Sequence, residues 1–329
     1  MELKIGSMPH GPRNLITDVP GVRVGHATVD REDCHTGVTV VMPPPANPFR
    51  EKLTAASCVF NGFGKTQGLI QVDELGTLET PIALTGTLNV GKVHDAVVGY
   101  MIDVCAAEGQ RLTSVNPVVC ECNDGQISDI GKRAVGEAEV RAAIASASED
   151  FEQGAVGAGR GTICYGMKGG IGSSSRLMKI GKETFTIGVL VQSNYGASAD
   201  FRVACLPEGL SECDQGSIIL IVATDLPLSA RQLKRVLRRT SVGMARLGSY
   251  IGHGSGEVAV GFTTAPRETE CHFTTIRTLN ENDMNVPFRA VGEAAEEAIL
   301  QSLLHAHADV TLAGKRIPSL REYLKEQGL

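Results

Sequence analysis

GSIILIVATDLP, residues 216–227, begins with a glycine-serine pair, continues as an uninterrupted apolar run over 218–223 and ends at a proline. A run of this length, rich in isoleucine and valine, is typical of a strand that is buried on both faces. Ser229 and Gln232 then have the spacing of a capping box, which predicts a long amphipathic helix beginning near Ser229. The segment therefore predicts a buried strand, a turn and a helix.

Strands and helices occur in mixed order on both sides of this segment, which predicts layered α/β packing. The pattern predicts strands within residues 15–42, a loop at 43–49, a helix around Val93 that Gly109 closes, a helix over 131–147, a strand over 184–195, a loop and strand over 252–265, and a final helix over 287–306. The glycine-rich run 154–176 predicts either a flexible loop or strand ends around a ligand, and residues 199–216 predict an exposed connector.

The composition argues against several classes of protein. The 329 residues carry a net charge of −6 and are 42% hydrophobic, which argues against disorder and against nucleic acid as the main partner. The longest apolar run, residues 218–223, is too short to cross a bilayer, and the first residues lack an apolar core of signal-peptide length. The 9 cysteines fit no disulfide framework, so we predict reduced thiols and a cytoplasmic location.

The Gly216-Ser217 pair permits two interpretations. The serine can be structural and end a loop. It can also attack the carbonyl of the preceding residue through an ester, whose hydrolysis frees a new amino terminus; glycine leaves that carbonyl unshielded. The freed α-amine, with an ordinary pKa of about 7.7–8.0, would accept the proton of its own hydroxyl. One residue would then supply both nucleophile and base.

Two further segments contain candidate partners for such a nucleophile. Ser255 and Glu257 are two positions apart and point to the same side of an extended segment. They can hold an α-ammonium, or form a glycine-rich turn with a solvated carboxylate. Asn194, at the end of a predicted strand, can donate its amide to a developing oxyanion or can form a turn.

A group of polar residues follows another predicted strand. Glu121, Asn123, Asp124 and Asp129 can bind a metal ion or a substrate amine, or can close an Asx turn. Neither a His-x-x-x-His nor a Cys-x-x-Cys pair accompanies them, so we predict no metal. The segment 62–66 resembles a fragment of a phosphate loop but lacks its full spacing.

Taken in order, these motifs resemble those of the DmpA-type L-aminopeptidase/D-esterases and β-aminopeptidases. The resemblance covers nearly the whole chain and rests on LITDVPGVRVGHAT (15–28), GVTVVMP (37–43), CYGMKGGIGSSSR (164–176), VLVQSNYG (189–196), GSIILIVATDLPL (216–228) and GHGSGEVAVGF (252–262). It implies one catalytic domain over residues 1–329, folded as a four-layer αββα sandwich. That sandwich is like the one in N-terminal-nucleophile hydrolases, with different connectivity.

The resemblance also implies an activity. The enzyme would release N-terminal amino acids from small peptides, amino-acid amides or esters, without a metal or organic cofactor, and would assemble as a tetramer of αβ units. Self-cleavage before Ser217 would yield an α chain of residues 1–216 and a β chain of residues 217–329.

The family's site residues fall on the candidates already named. Ser255 and Glu257 would partner the nucleophile, Asn194 would stabilise the oxyanion, and Glu121 would receive the substrate's amino group. Some members have a tyrosine where this chain has Asn123, a difference that affects oxyanion stabilisation or substrate range.

Two other functions are compatible with parts of this pattern. An amine acyltransferase resembling ornithine acetyltransferase shares the self-cleaving chemistry, but that family has threonine after alanine at the junction, where this chain has Gly216-Ser217. A non-catalytic member of the same fold, which never matures, is the second alternative.

Overall fold

The computed structural model describes residues 5–202, 215–269 and 272–326. Its strands are β1 (Arg23–Arg31), β2 (Cys34–Met42), β3 (Leu53–Gly62), β4 (Thr77–Leu78), β5 (Ile82–Gly86), β6 (Val118–Cys122), β7 (Ile163–Cys164), β8 (Met167–Lys168), β9 (Gly170–Ile180), β10 (Glu183–Asn194), β11 (Gln215–Thr224), β12 (Gly254–Thr263), β13 (Arg267–Thr269), β14 (Thr274–Ile276), β15 (Asp309–Val310) and β16 (Arg316–Ile317). Its α-helices are α1 (Leu69–Leu75), α2 (Val90–Ala107), α3 (Glu137–Ala145), α4 (Ala230–Leu237), α5 (Thr240–Arg246), α6 (Asn285–Leu304) and α7 (Leu320–Glu326).

Two sheets form the centre of the fold. One has the strand order β1-β2-β5-β6 and the other the order β4-β3-β12-β11-β10-β9. Apolar clusters fill the space between α2, α3 and the first sheet, between the two sheets, and between the second sheet and helices α4 to α7. Helices, sheet, sheet and helices therefore follow one another, which confirms the predicted αββα sandwich.

The segment predicted to be buried on both faces is β11, one of the two middle strands of the second sheet. Ile218 and Leu220 belong to the cluster on the helix side, whereas Ile219 and Ile221 belong to the cluster between the sheets. Successive side chains of a strand point to opposite faces, so an uninterrupted apolar run is what two covered faces require.

Because of the directions in which the strands run, the ends of several strands lie at one edge of the sandwich. β10 is antiparallel to β11, and β12 is parallel to it, so the carboxyl end of β10 lies beside the amino ends of β11 and β12. The carboxyl end of β6, in the facing sheet, reaches the same edge, where the Cys122 thiol lies 3.4 Å from the Ser217 carbonyl oxygen.

The helix predicted after β11 begins as expected but is not one long helix. The Ser229 hydroxyl accepts the Gln232 N–H and the Gln232 side chain accepts the Ser229 N–H, which confirms the capping box. The helix then ends, and α5 begins at Thr240. The Thr240 hydroxyl donates to the Leu237 carbonyl at 2.8 Å, a side-chain bond that competes with the helical ladder.

Two other predictions are corrected by the structure. The helix predicted over 131–147 is limited to α3, because Arg133 has a left-handed backbone with φ of 47°. The second half of the glycine-rich run 154–176 is neither loop nor strand end but the strand β9, on which α6 packs. A Cβ atom at Gly172 would lie 2.0 Å from the Ala298 carbonyl oxygen, so glycine permits this close approach.

The remaining predictions agree with the structure in most respects. β10 and α6 correspond to the strand over 184–195 and the helix over 287–306, although the short helix α7 follows the latter. Most of the connector predicted over 199–216, residues 203–214, lies outside the described residues. Within the part of the chain that the structure describes, no helix has both the length and the apolar composition needed to cross a membrane.

Candidate active site

A cavity of about 580 Å³ opens at the edge where these strand ends meet. The residues of its wall that the sequence had singled out are Glu121, Asn123, Asn194, Gly216 and Ser217. Others that line it include Phe63, Lys65, Thr87, Ile163, Ser198 and Lys315. Three separate parts of the chain thus contribute candidate residues to one cavity. Ser255 and Glu257 are not part of its wall.

Ser217 lies between two neighbouring strands, opposite Asn194 on one side and Gly256 on the other. The residue is only 3% exposed, and its hydroxyl makes no hydrogen bond within the described residues. A buried hydroxyl without a partner is uncommon in native proteins, because the missing bond costs about 1–3 kcal/mol. The hydroxyl is therefore available for a reaction partner.

The residue before the nucleophile candidate has a backbone that favours glycine. Gly216 has a φ of 128°, which L side chains rarely adopt. A Cβ atom built there would lie 2.0 Å from the Asn194 carbonyl oxygen, far inside van der Waals contact. Both observations show why this position, directly before Ser217, requires glycine.

Ser255 and Glu257 lie on the neighbouring strand, in register with Gly216 and Ile218. Both side chains are fully buried, which excludes the solvated carboxylate considered above. Alternation along the paired strands places them on the helix side of the sheet, while the Ser217 side chain faces the other sheet. The atom of Ser217 that both could approach is thus its main-chain nitrogen, which lies in the plane of the sheet.

The Asn194 amide has a defined orientation. Its Oδ1 accepts the main-chain N–H of Ile163 at 2.9 Å, and the residue is 8% exposed. Because an N–H group must meet an oxygen, this bond identifies which end of the amide is the carbonyl. The NH₂ group is left to donate to an acceptor in the cavity.

Glu121 places a buried carboxylate in the cavity wall. Its Oε1 accepts the Lys65 N–H at 2.9 Å, and its Oε2 accepts the Thr87 hydroxyl. Two donors hold the carboxylate in position, and the carboxylate is suited to an ammonium ligand. Asn123 is exposed at the same cavity, with its Oδ1 bound to the Gly125 N–H at 3.0 Å.

Sequence reasoning missed the residues that support this carboxylate. The sequence pattern of segment 62–66 resembles only a fragment of a phosphate loop, whereas its main chain passes beside Glu121. A Cβ atom at Gly256 would lie 2.7 Å from the Gly64 nitrogen, so two glycines permit this loop to approach β12 closely. The glycines clustered in this segment indicated a close approach of the main chain, but the strand that they approach, β12, lies in another part of the chain.

Asp124 is buried beside the cavity wall and does not line it. Its Oδ2 accepts the Thr36 hydroxyl, while its Oδ1 has no hydrogen-bond partner in the described chain. Burial raises the pKa of this carboxyl from 3.8 to about 6, and the neighbouring Glu121 adds to the effect. No group of three or more His, Cys, Asp or Glu side chains in residues 5–202, 215–269 and 272–326 is placed to hold a metal ion.

Asp124→Asn should change how stability depends on pH. A carboxyl whose pKa is raised by folding contributes stability that is complete below its unfolded pKa and is lost as the pH rises through the folded value. The melting temperature of the wild type, measured relative to that of Asp124→Asn, should therefore fall between pH 4 and 7. The corresponding free energy is at most about 3 kcal/mol. A difference that is constant across this range would contradict the assignment.

Comparisons with known proteins identify the family to which this chain belongs. The model of peptidase family S58 matches residues 14–317. Beta-peptidyl aminopeptidase BapA of Sphingosinicella xenopeptidilytica is 35% identical over 340 residues, covering 92% of this chain and 83% of the relative. The solved structure of the PH0078 protein from Pyrococcus horikoshii OT3 has a TM-score of 0.92 and 41% identity, covering 99% of this chain and 98% of that one.

A third relative connects the fold to a reaction type. The L-aminopeptidase D-Ala-esterase/amidase from Ochrobactrum anthropi has a TM-score of 0.88 and 32% identity, covering 98% of this chain and 96% of that one. It is described as a prototype for the serine aminopeptidases and as a new variant among the Ntn hydrolase fold. These matches confirm the resemblance seen in the sequence and give no support to the acyltransferase alternative. The chain belongs to peptidase family S58 and is a hydrolase of the serine aminopeptidase type.

Proposed function

We propose that Ser217 is the nucleophile of this aminopeptidase and that the chain creates it by cleaving itself between Gly216 and Ser217. The α chain would comprise residues 1–216 and the β chain residues 217–329, which remain together as one catalytic domain. The buried, unbonded hydroxyl at the cavity and the backbone of Gly216 support this proposal.

The cleavage needs only the groups of this junction and water. The Ser217 hydroxyl oxygen attacks the Gly216 carbonyl carbon, the C–N bond breaks, and the acyl group passes from nitrogen to oxygen as an ester, while the hydroxyl proton passes to the departing nitrogen. Water then hydrolyses the ester, which leaves a carboxylate on Gly216 and a free α-amine on Ser217. No external oxidant or cofactor enters this balance.

Gly216→Ala is expected to slow self-cleavage by at least about tenfold, because the new Cβ would displace the junction and strain its backbone. The rate is measured as the appearance of two bands on a denaturing gel during incubation. Gly91→Ala is the matched control, since no atom lies within 4 Å of the Cβ position there. Equal rates for the two variants would contradict the role given to Gly216.

In the catalytic cycle, the Ser217 hydroxyl attacks the first carbonyl carbon of a substrate. The α-amine of the same residue takes the hydroxyl proton and returns it to the leaving amine or alcohol. Water, activated by the same amine, then releases the amino acid from the ester. Ser255 and Glu257 would hold this α-amine from the helix side of the sheet, and the Asn194 NH₂ group would donate to the oxyanion.

The observation that carries the exopeptidase assignment is the shared cavity of Ser217, Asn194 and Glu121. We assign Glu121 to the ammonium group of the substrate, because its carboxylate is fixed by two donors and lines the cavity. An anchor for the free amino end limits attack to the first carbonyl. The cavity thereby selects N-terminal amino acids from peptides, amides or esters.

Glu121→Gln should lower kcat/KM for substrates with a free amino group by about 10- to 100-fold, mainly through KM, because a charge-assisted bond is worth about 1.5–3 kcal/mol. The test compares each aminoacyl p-nitroanilide with its N-acetylated form in the wild type and the variant. The wild type should prefer the free amine strongly, and the variant much less. Equal rates on free and acetylated substrates in the wild type would contradict the exopeptidase assignment.

We propose that the substrates include β-amino acid derivatives as well as α-amino acid derivatives. Support comes from the Sphingosinicella relative, which is named a beta-peptidyl aminopeptidase. The exposed Asn123 at the cavity is the position where substrate range would differ from that of relatives with tyrosine there. A panel of α- and β-aminoacyl p-nitroanilides of both hands, with wild type and Asn123→Tyr, measures this preference.

We further propose a cytoplasmic enzyme that assembles from several αβ units. Support for the location is that Cys34, Cys58, Cys105, Cys120 and Cys122 are buried and form no disulfide. Support for assembly comes from the family resemblance, and large apolar side chains at the surface, such as Ile70 and Phe273, are compatible with it. Light scattering of the purified protein measures the number of units.

A further inference from the structure

A fully buried lysine, which has no part in the proposed mechanism, is connected to Asn194 through a single peptide unit that both side chains contact. The Lys168 ammonium donates to the carbonyl oxygens of Gly159, Thr162 and Gly169 at 3.1, 3.0 and 2.9 Å. An ammonium has three N–H donors, and here each has an acceptor. Burial lowers the pKa of this group to about 7, and three carbonyl oxygens are the partners that the charged form needs.

One of these carbonyls belongs to the peptide unit that orients Asn194. The oxygen of the Thr162–Ile163 peptide accepts the Lys168 ammonium, and the nitrogen of the same peptide donates to Asn194 Oδ1 at 2.9 Å. The unit is planar and rigid. Fixing its oxygen therefore fixes the direction of its N–H group.

We propose that Lys168 is a positioning residue for the reaction, acting through the Thr162–Ile163 peptide to hold the Asn194 amide with its NH₂ group toward the nucleophile. This inference rests on the proposed function, in which Asn194 stabilises the oxyanion.

Two physical effects carry the influence from Lys168 to Asn194. A positive charge at a peptide oxygen polarises the unit and strengthens the bond that its N–H donates. The same contact removes rotational freedom of the peptide, so the amide of Asn194 keeps one orientation. An oxyanion donor contributes most when it needs no reorganisation during the reaction, so a loosened amide should lower kcat more than substrate affinity.

A purely structural role for Lys168 predicts a different outcome. Its main-chain N–H donates to the Pro318 carbonyl at 2.8 Å, and its side chain joins the 159–162 loop to β8. If the residue serves only folding, its replacement should lower the melting temperature and affect kcat independently of Asn194.

The test is a double-mutant cycle with Lys168→Met, Asn194→Ala and the pair. kcat is expressed per mole of chain beginning at Ser217, after incubation to complete self-cleavage, and melting temperatures are measured in parallel. We expect Lys168→Met to lower kcat at least about tenfold with KM within about twofold of wild type. In the Asn194→Ala background the same change should lower kcat less than about twofold, because coupled residues are not additive.

Each other outcome overturns a defined part of the account. If Asn194→Ala lowers kcat but Lys168→Met lowers it equally in both backgrounds, the Lys168 inference fails and the proposed function stands. If Asn194→Ala leaves kcat unchanged, the oxyanion role fails and the inference fails with it. Lys168→Gln, which keeps a neutral donor in the same place, repeats the cycle if the methionine variant does not fold; failure of both to fold would assign Lys168 to folding alone.

Discussion

Ser217→Ala is expected to remain a single chain and to lose hydrolysis of aminoacyl p-nitroanilides by at least about 10⁴-fold. The hydroxyl is the attacking group in both self-cleavage and turnover, and removal of a nucleophile typically costs this much or more. A denaturing gel and kcat/KM measured on the same sample test both effects. The full-length band at 34.8 kDa should be the only one.

A matched control separates the hydroxyl from its surroundings. Ser198 lines the same cavity, so Ser198→Ala removes a hydroxyl from the same wall and should leave cleavage and kcat within about threefold of wild type. Ser217→Cys retains a nucleophile and should cleave, though more slowly. Two chains from Ser217→Ala, or hydrolysis by it at the wild-type rate, would contradict the nucleophile assignment. A wild type that stays whole would contradict the self-cleavage proposal.

Asn194→Ala should lower kcat by about 10²–10³-fold, with a much smaller change in KM. Removal of one oxyanion donor costs about this much where the effect has been measured, because the bond forms fully only in the transition state. Steady-state kinetics per mole of processed chain provide the measurement. Here the donor is fixed before the substrate arrives, since Oδ1 is bound to the Ile163 N–H.

A second asparagine of the cavity wall, Asn123, serves as the comparison. Asn123 is exposed, whereas Asn194 is buried, so the Asn123 amide keeps more freedom of orientation. Asn123→Ala should therefore lower kcat less than about tenfold. A larger loss for Asn123→Ala than for Asn194→Ala would assign the oxyanion to Asn123 and contradict the scheme.

Much of the fold could be predicted from the sequence because its signals are local. The run 218–223 is apolar at every position, which is typical of a strand with two covered faces, and the Ser229–Gln232 box predicts where α4 begins. The end of that helix could not be predicted, since the apolar stripe continues past Leu237 without a break in the sequence pattern. The strand β9 was missed because the reason for its glycines lies in distant backbone: α6 approaches Gly172, and the Gly154 backbone approaches Gly170.

The sequence predicted which residues belong to the candidate site better than it predicted how they are arranged. Motif order named Ser217, Asn194 and Glu121, and the structure places them at one cavity. That Ser255 and Glu257 share a face follows from their spacing. Their position on the face opposite the Ser217 side chain depends on the register of β11 with β12, which no local pattern contains.

The supporting residues were beyond prediction for a similar reason. Lys65 holds Glu121 through its main-chain N–H, and Ile163 holds Asn194 in the same way. A main-chain donor has no residue-type signature, so such a contact can be read only from the folded chain.

The central claim is that one residue supplies both the attacking oxygen and the base, and intact-mass analysis of active wild-type protein tests it most directly. The account predicts two chains, with the shorter one beginning Ser-Ile-Ile-Leu on N-terminal sequencing. Brief treatment with a reactive amino-acid ester should add one aminoacyl group to that chain alone. Active protein that consists only of the uncleaved chain, or that acquires the aminoacyl group on residues 1–216, would contradict the account.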